Sequence, residues 1–302
     1  MKKILHTGGT GFFSLTWTLD TKKKFNNFLL INKKRKNLLK NSLFLNFNSK
    51  KSLEKIIKKV NPDYIFHTIA LTNVDECEKN FLLSKKVNFD LTKIICDACI
   101  KYNIKLVYIS TDQIFNKKKK ITENEIPNPL NTYGTHKLQS ENYIISNLKN
   151  YLIVRANFFG YAPRIRKSFL NFVKYNLEKK KKIYLYNNIN HSPISLHLLN
   201  NCIVKLLSKK YNGIVNVSSN ENITKYNLGI LISDIFNLDR SYIVKSFLKK
   251  KKGIALRPVS CFLSNKKLKK ILKIKIPKIK SQLLEIFKKH KNNYYNKILK
   301  IN

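Results

Sequence analysis

Lys3-Ile4-Leu5-His6-Thr7-Gly8-Gly9-Thr10-Gly11-Phe12-Phe13-Ser14 decides the fold of this chain. A short apolar strand runs into three glycines, and an apolar segment with helical spacing follows. Glycines at a strand-to-helix turn let backbone N–H groups approach a pyrophosphate at the helix N-terminus. Ser14 fills the third small position, where glycine would give the closest strand–helix packing. The turn therefore reads as the first βα unit of a dinucleotide-binding fold.

Working outward, strands and helices alternate through the first half. Strand signals run over Lys3 to His6, Phe28 to Ile31, Tyr64 to Ile69, Leu106 to Ile109 and Leu152 to Val154. Helix signals run over Phe13 to Lys24, Ser52 to Val60, Leu82 to Tyr102 and Tyr133 to Leu148. Continuously apolar strands separated by helices predict a parallel sheet covered on both faces, an α/β doubly wound architecture. In such a sheet ligands lie across the C-terminal strand ends. The glycine turn, the Ala70-Leu71-Thr72 loop and Thr111 all follow strand ends, so they should share one crevice.

The chemistry is carried by Ser110-Thr111-Asp112 and by Tyr133-Gly134-Thr135-His136-Lys137. Tyrosine and lysine four residues apart share a helix face. An ammonium beside a phenol stabilises the phenolate, which would poise Tyr133 for proton exchange near neutrality. Thr111 can hold the same substrate oxygen. These three groups form a proton-transfer site suited to a carbonyl or alcohol.

The second half reads as helices over Ser168 to Lys181, Leu196 to Lys209, Lys225 to Phe236, Lys266 to Leu272 and Lys280 to Lys288, with strands Ile183 to Tyr186 and Ile214 to Val217. We place a nucleotide-binding unit over residues 1–160 and a smaller lobe over 161–302, with some late elements returning to the first unit. The basic stretch Lys288 to Asn302 reads as a mobile end.

The 302 residues are 43% hydrophobic, enough for a full core. The net charge of +43 points less to nucleic acid than to codon bias. Of 60 basic residues only six are arginine, and Lys, Asn, Ile, Phe and Tyr abound where Gly, Pro and Ala are scarce. The lysine runs are scattered, as at Lys22 to Lys24 and Lys179 to Lys182, whereas a nucleic-acid reader concentrates arginine and aromatics in a stripe. No uncharged apolar run reaches the ~18–20 residues of a membrane span, and the N-terminus lacks a signal peptide's apolar region. We expect a cytoplasmic protein with reduced thiols, no nucleic-acid or membrane partner and no metal. Cys96 and Cys99 read as two helix-face thiols, and His191 and His197 as surface or helix residues without ligand companions.

In order and spacing the motifs resemble the extended short-chain dehydrogenase/reductases. These motifs are Thr7-Gly8-Gly9-Thr10-Gly11, Ala70-Leu71-Thr72-Asn73-Val74-Asp75, Val87-Asn88, Ser110-Thr111-Asp112 and Tyr133-x-x-x-Lys137. Arg155-Ala156-Asn157-Phe158-Phe159-Gly160, Ser192-Pro193-Ile194-Ser195 and the stretch from Leu256 to Asn265 narrow this to the dTDP-4-dehydrorhamnose reductase branch, the RmlD-like substrate-binding family. The resemblance implies a Rossmann-type domain with a C-terminal substrate lobe, reducing the 4-keto group of a nucleotide-activated deoxysugar for surface polysaccharide.

It implies Thr111, Tyr133 and Lys137 as catalytic residues. Gly8, Gly11, Phe12, Phe13, Asn32, Lys33, Arg35, Ala70, Leu71, Thr72 and Asn88 join Tyr133 and Lys137 around the cofactor. Gln113 is placed on the substrate side; Asp112 either contacts the nucleotide-sugar substrate or caps its loop, and Arg257 either clamps the diphosphate or makes a structural salt bridge. Gln113 stands where the family usually places an aromatic residue or histidine, and Asn46 where it has an aspartate near the adenine. Glu123 and Glu125 are either solvated loop acids or substrate contacts. The basic loop Asn32 to Arg35 lacks the acid that favours NAD, so NADPH is expected, with NADH possible. A homodimer is compatible with the sequence. The same fold serves a non-catalytic regulatory subunit of methionine adenosyltransferase, the competing reading.

Overall fold

The computed structural model describes residues 1–33, 38–46, 49–117, 119–163, 168–249 and 253–301. Its central sheet has seven strands: β1 (Lys2–His6), β2 (Phe25–Ile31), β3 (Ser42–Phe44), β4 (Tyr64–His67), β5 (Lys105–Ser110), β6 (Tyr151–Arg155) and β7 (Gly213–Asn216). The order is β7-β6-β5-β4-β1-β2-β3, and every pairing is parallel. The order reverses between β1 and β4, so a crevice opens at their C-terminal ends. This is the expected doubly wound fold.

Alternate residues of each strand feed opposite cores, which explains why the strands read as unbroken apolar runs. Ile4, Phe66, Val107, Leu152 and Val154 pack with Phe13 and Trp17 of the Phe12–Thr21 helix and with Leu199, Ile203 and Leu206 of the Leu196–Ser208 helix. Leu5, Ile65, Leu106, Tyr108 and Ile153 pack on the other face with Ile57, Ile95, Cys96, Cys99 and Ile144. Burial raises the Cys96 thiol to about 12 and holds Cys99 well above its ordinary value, as befits core thiols. The Lys50–Val60 helix shows the local logic. Leu53, Ile57 and Val60 form its buried stripe, Ser49 caps it by accepting from Ser52 N–H, and Asn61 ends it in the left-handed region.

The late strand β7 pairs with β6 at the sheet edge, so an element of the second half does return to the first. A separate core gathers Tyr161, Leu170, Leu185, Ile232 and Phe236. Two expectations are corrected here. The C-terminal stretch is folded in place: Tyr295, Ile298 and Ile301 are buried in that core, and Tyr294 donates to Asp20 at 2.6 Å. Its lysines mask an apolar face. His191, read as a surface or helix residue, is instead buried on a short strand; His197 is on a helix, Leu196–Ser208, but buried and bonded through Nδ1 to Asp20 at 2.7 Å.

The predicted helix from Leu82 to Tyr102 is divided into Phe81–Lys85, a wider π-helical turn at Lys86–Asp90 and Leu91–Lys101. Among the described residues no helix is long and apolar enough to cross a membrane.

Candidate active site

The glycine turn is held against β2. Gly9 N–H donates to the Leu30 carbonyl at 2.8 Å, and a Cβ on Gly9 would lie 2.6 Å from that oxygen. Ser14 keeps the third small position closed, its hydroxyl 3.0 Å from that of Thr68. The helices beginning at Lys50, Thr132, Phe169, Leu196 and Lys225 each receive a side-chain cap, but Gly11 offers none to the Phe12–Thr21 helix. Its first N–H groups remain available to an anion. A cavity of about 620 Å³ opens there, lined by Thr7 to Thr10, Leu30 to Asn32, Ile69 and the Lys86–Ile94 region. Size, apolar walls and uncapped helix start fit a dinucleotide.

The structure places the expected cofactor residues unevenly. Gly8 and Asn32 line the cavity, and Lys33 is exposed just beyond it. Arg35 lies outside the described residues. Phe13 is a core residue stacked near Trp17, and Phe12 packs against Phe158, so only their backbones face the turn. Asn88, buried within the π-helical turn, accepts from Leu71 N–H at 2.8 Å and donates to Leu71 C=O at 3.1 Å. Its amide braces the Ala70-Leu71-Thr72 loop. Val87 of the Val87-Asn88 motif lines the cavity, as do Asp90, Leu91 and Ile94, which the sequence did not single out, since a helix flank gives no motif.

At the chemical end, β5 delivers Thr111 and Asp112. The Thr111 hydroxyl accepts from Gln113 N–H at 3.1 Å, turning the chain under the start of the Thr132–Asn147 helix. Asn131 caps that helix from Gly134 N–H at 2.9 Å, and Glu78 accepts from Thr132 N–H at 3.0 Å. Gly134 is required by contact: a Cβ there would lie 2.4 Å from the Gln113 carbonyl. This close seat brings the buried Tyr133 phenol to Thr111.

Lys137 donates to the Ile109 carbonyl at 2.8 Å and sits 3.9 Å from the centre of the Tyr108 ring. Burial lowers its pKa to about 7, opposed by the charge of Glu141. Burial raises the Tyr133 pKa, Thr111 draws it down, and Asp112 raises it again. The expected poise of the phenol near neutrality is therefore corrected. Burial first, and the Asp112 charge after it, favour the protonated phenol.

Behind the site, Glu141 receives Arg155 through Nε at 3.0 Å and NH2 at 2.6 Å, and accepts from Ser110 Oγ. Arg155, the last residue of β6, thus holds Glu141 in a buried ion pair. Glu141 carries no sequence signal beyond lying four residues after Lys137.

On the substrate side, Asn157 donates to Asp112 Oδ2 at 3.0 Å, and Gln113 Nε2 faces Cys261 Sγ at 3.9 Å. Arg257 is ion-paired with Asp75 at 2.7 Å and donates to the Ala255 carbonyl at 2.9 Å. The guanidinium holds the Asp75 carboxyl below its usual range. Glu123 and Glu125 both have protein partners: Glu123 accepts from Asn216 N–H at 2.8 Å, and Glu125 pairs with Lys117 and Lys119.

With this geometry in place, the model of the RmlD substrate binding domain matches residues 1–292. The chain belongs to that family. Its fold superposes on a dTDP-4-dehydrorhamnose reductase from Bacillus anthracis in complex with NADP, with TM-score 0.85, 21% identity and coverage of 96% of this chain and 100% of that one. A hypothetical dTDP-4-dehydrorhamnose reductase from Sulfolobus tokodaii gives TM-score 0.78 at 28% identity, covering 90% of this chain and 95% of that one. Methionine adenosyltransferase 2 subunit beta of Bos taurus is 25% identical over 210 residues, 66% of this chain. The match spans 62% of that curated relative's length.

Proposed function

We propose that this protein is a reductase that uses a nicotinamide dinucleotide to convert the 4-keto group of a nucleotide-activated deoxysugar, of the dTDP-4-dehydrorhamnose type, to an alcohol. The observation that carries this reading is the seating of the buried Tyr133 phenol on Thr111 where β5 ends, with Lys137 one helical turn on, donating to the Ile109 carbonyl. The reduced nicotinamide supplies the hydride when bound. Tyr133, protonated by its buried setting, donates a proton to the developing oxyanion, and Thr111 holds the same oxygen. Lys137 anchors the cofactor's ribose and carries positive charge toward the phenol once an anionic ligand offsets its burial. Asn88 acts by fixing the loop the cofactor rests on. The exposed Lys33, with Arg35 beyond it in the sequence, supports NADPH as the preferred form. We place the enzyme in the cytoplasm, supplying precursors of surface polysaccharide.

The test is oxidation of NADPH and of NADH by the purified protein with dTDP-4-dehydrorhamnose, alongside binding titrations of both cofactors. Turnover with NADPH ahead of NADH is expected. Tight cofactor binding without turnover on any nucleotide sugar would transfer support to the second reading, a regulatory subunit like that of methionine adenosyltransferase, which the bovine relative favours.

A further inference from the structure

Lys225 carries no motif, yet the fold aims it at the substrate crevice. A three-stranded sheet has Asn190–His191 at its centre, flanked by Ile223–Thr224 and Ser260–Cys261. Thr224 pairs antiparallel with Asn190, so the chain leaves toward residue 189. Ser260 pairs parallel with the same Asn190, so the segment before it, which contains Arg257, lies at that same end. Asn190 N–H donates to the Val259 carbonyl at 2.9 Å, fixing the register. Two cations from distant parts of the sequence thus flank one strand end.

Their electrostatics agree with that placement. Lys225 lies within range of the charges of Arg257 and of Asp112, the neighbour of Thr111. Asp75 neutralises Arg257. The Lys225 amine is 5.9 Å from the Phe169 ring centre and borders a cavity of about 370 Å³ walled by Phe169, Phe172, Tyr184 and Tyr186. Phe172 and Tyr184 are 42% and 67% exposed, a high value for large rings that line a cavity. Bringing like charges together costs energy that a multiply charged anion between them recovers. Aromatic walls beside such an anion suit a flat base.

We propose that Lys225 is a specificity-determining residue. Together with Arg257 it grips the diphosphate of the substrate, and the nucleoside reaches the aromatic cavity at Phe169 and Tyr184. This rests on the nucleotide-sugar reading above and adds a residue and an orientation to it. A two-charge clamp prefers a nucleoside diphosphate to a monophosphate and ignores the uncharged nucleoside.

The experiment is calorimetric titration of the full chain, loaded with NADPH, with dTDP, dTMP and thymidine. Lys225→Met keeps the side-chain stem and removes the charge; Lys225→Arg restores charge. Loss of a charge-assisted contact should weaken dTDP by roughly ten- to hundred-fold in Lys225→Met. Lys225→Arg should restore most of the affinity, and NADPH affinity should not change. Wild-type affinity for dTDP in Lys225→Met overturns the proposal, as does failure of the wild-type protein to bind dTDP or UDP. Lys225-dependent dTDP binding with no turnover on 4-keto sugars upholds the clamp and removes the reductase reading. Turnover with an unchanged KM in Lys225→Met does the reverse.

Discussion

Asn88 satisfies both backbone polar groups of Leu71, accepting from its N–H at 2.8 Å and donating to its C=O at 3.1 Å. The loop at the end of β4 is thereby held in one shape by a residue of the facing helix. Asn88→Ala leaves both groups without that partner, at a cost of about 1–3 kcal/mol. Urea unfolding should register that loss, and NADPH affinity should fall about ten-fold because the loop is no longer preorganised. Asn88→Asp should be similarly damaging, since a carboxylate cannot donate to the Leu71 carbonyl. Cofactor affinity unchanged in both variants would detach the loop from the cofactor site.

Lys137 gives a pH dependence whose sign is fixed by burial. Its pKa falls from the ordinary 10.5 to about 7 in the folded chain. Between those values the unfolded chain binds a proton that the folded chain does not. Stability therefore rises with pH across the window from about 7 to 10.5, by at most about 1.4 kcal/mol per pH unit. Lys137→Met lacks this contribution. Urea unfolding of both proteins at pH 7, 8 and 9 should show the wild type gaining on the variant at each step. A constant difference would mean that the lysine stays charged in the fold.

The sheet was legible because its strands are buried on both faces, so Tyr64 to His67 and Lys105 to Ser110 are wholly apolar or covered. The glycine turn and the seating of Tyr133 on Thr111 were legible because chemistry restricts residue type at fixed spacing. Pairings made by tertiary contact left no such trace. Glu141 with Arg155, Arg257 with Asp75, and His197 with Asp20 join residues far apart in sequence, and nothing local announces them. The C-terminal stretch misled for another reason. Lysine enrichment covers the whole chain, so charge there says little about exposure, and Tyr295, Ile298 and Ile301 outweigh it.

The Glu141–Arg155 pair should behave as a buried ion pair. Both side chains are nearly inaccessible, and Ser110 completes the carboxylate's hydrogen bonding. Arg155→Met strands a buried carboxylate, costing about 3–5 kcal/mol. Adding Glu141→Leu removes the stranded charge, so the double variant should be more stable than Arg155→Met alone. Urea midpoints of the wild type and these two variants test this. A double variant no better than Arg155→Met would assign the loss to packing.

Tyr133 is the decisive residue. Its phenol is buried against Thr111, and both burial and the Asp112 charge favour the protonated form. Tyr133→Phe keeps the ring in its seat beside the Gln113–Gly134 contact and removes only the proton donor. kcat should fall by roughly 10²–10⁴-fold, the range general acid catalysis supplies, with NADPH affinity and urea midpoint close to wild type. Lys137→Ala should behave differently, lowering cofactor affinity as well as kcat, because it removes the cation expected at the ribose. Thr111→Val should lower kcat less than Tyr133→Phe, since it loses a hydrogen bond to the oxyanion while the proton donor remains. The contrast separates a structural from a chemical role: a merely structural tyrosine would lose stability first. Near-normal kcat in a folded Tyr133→Phe protein would take the proton from another donor and undo the assignment.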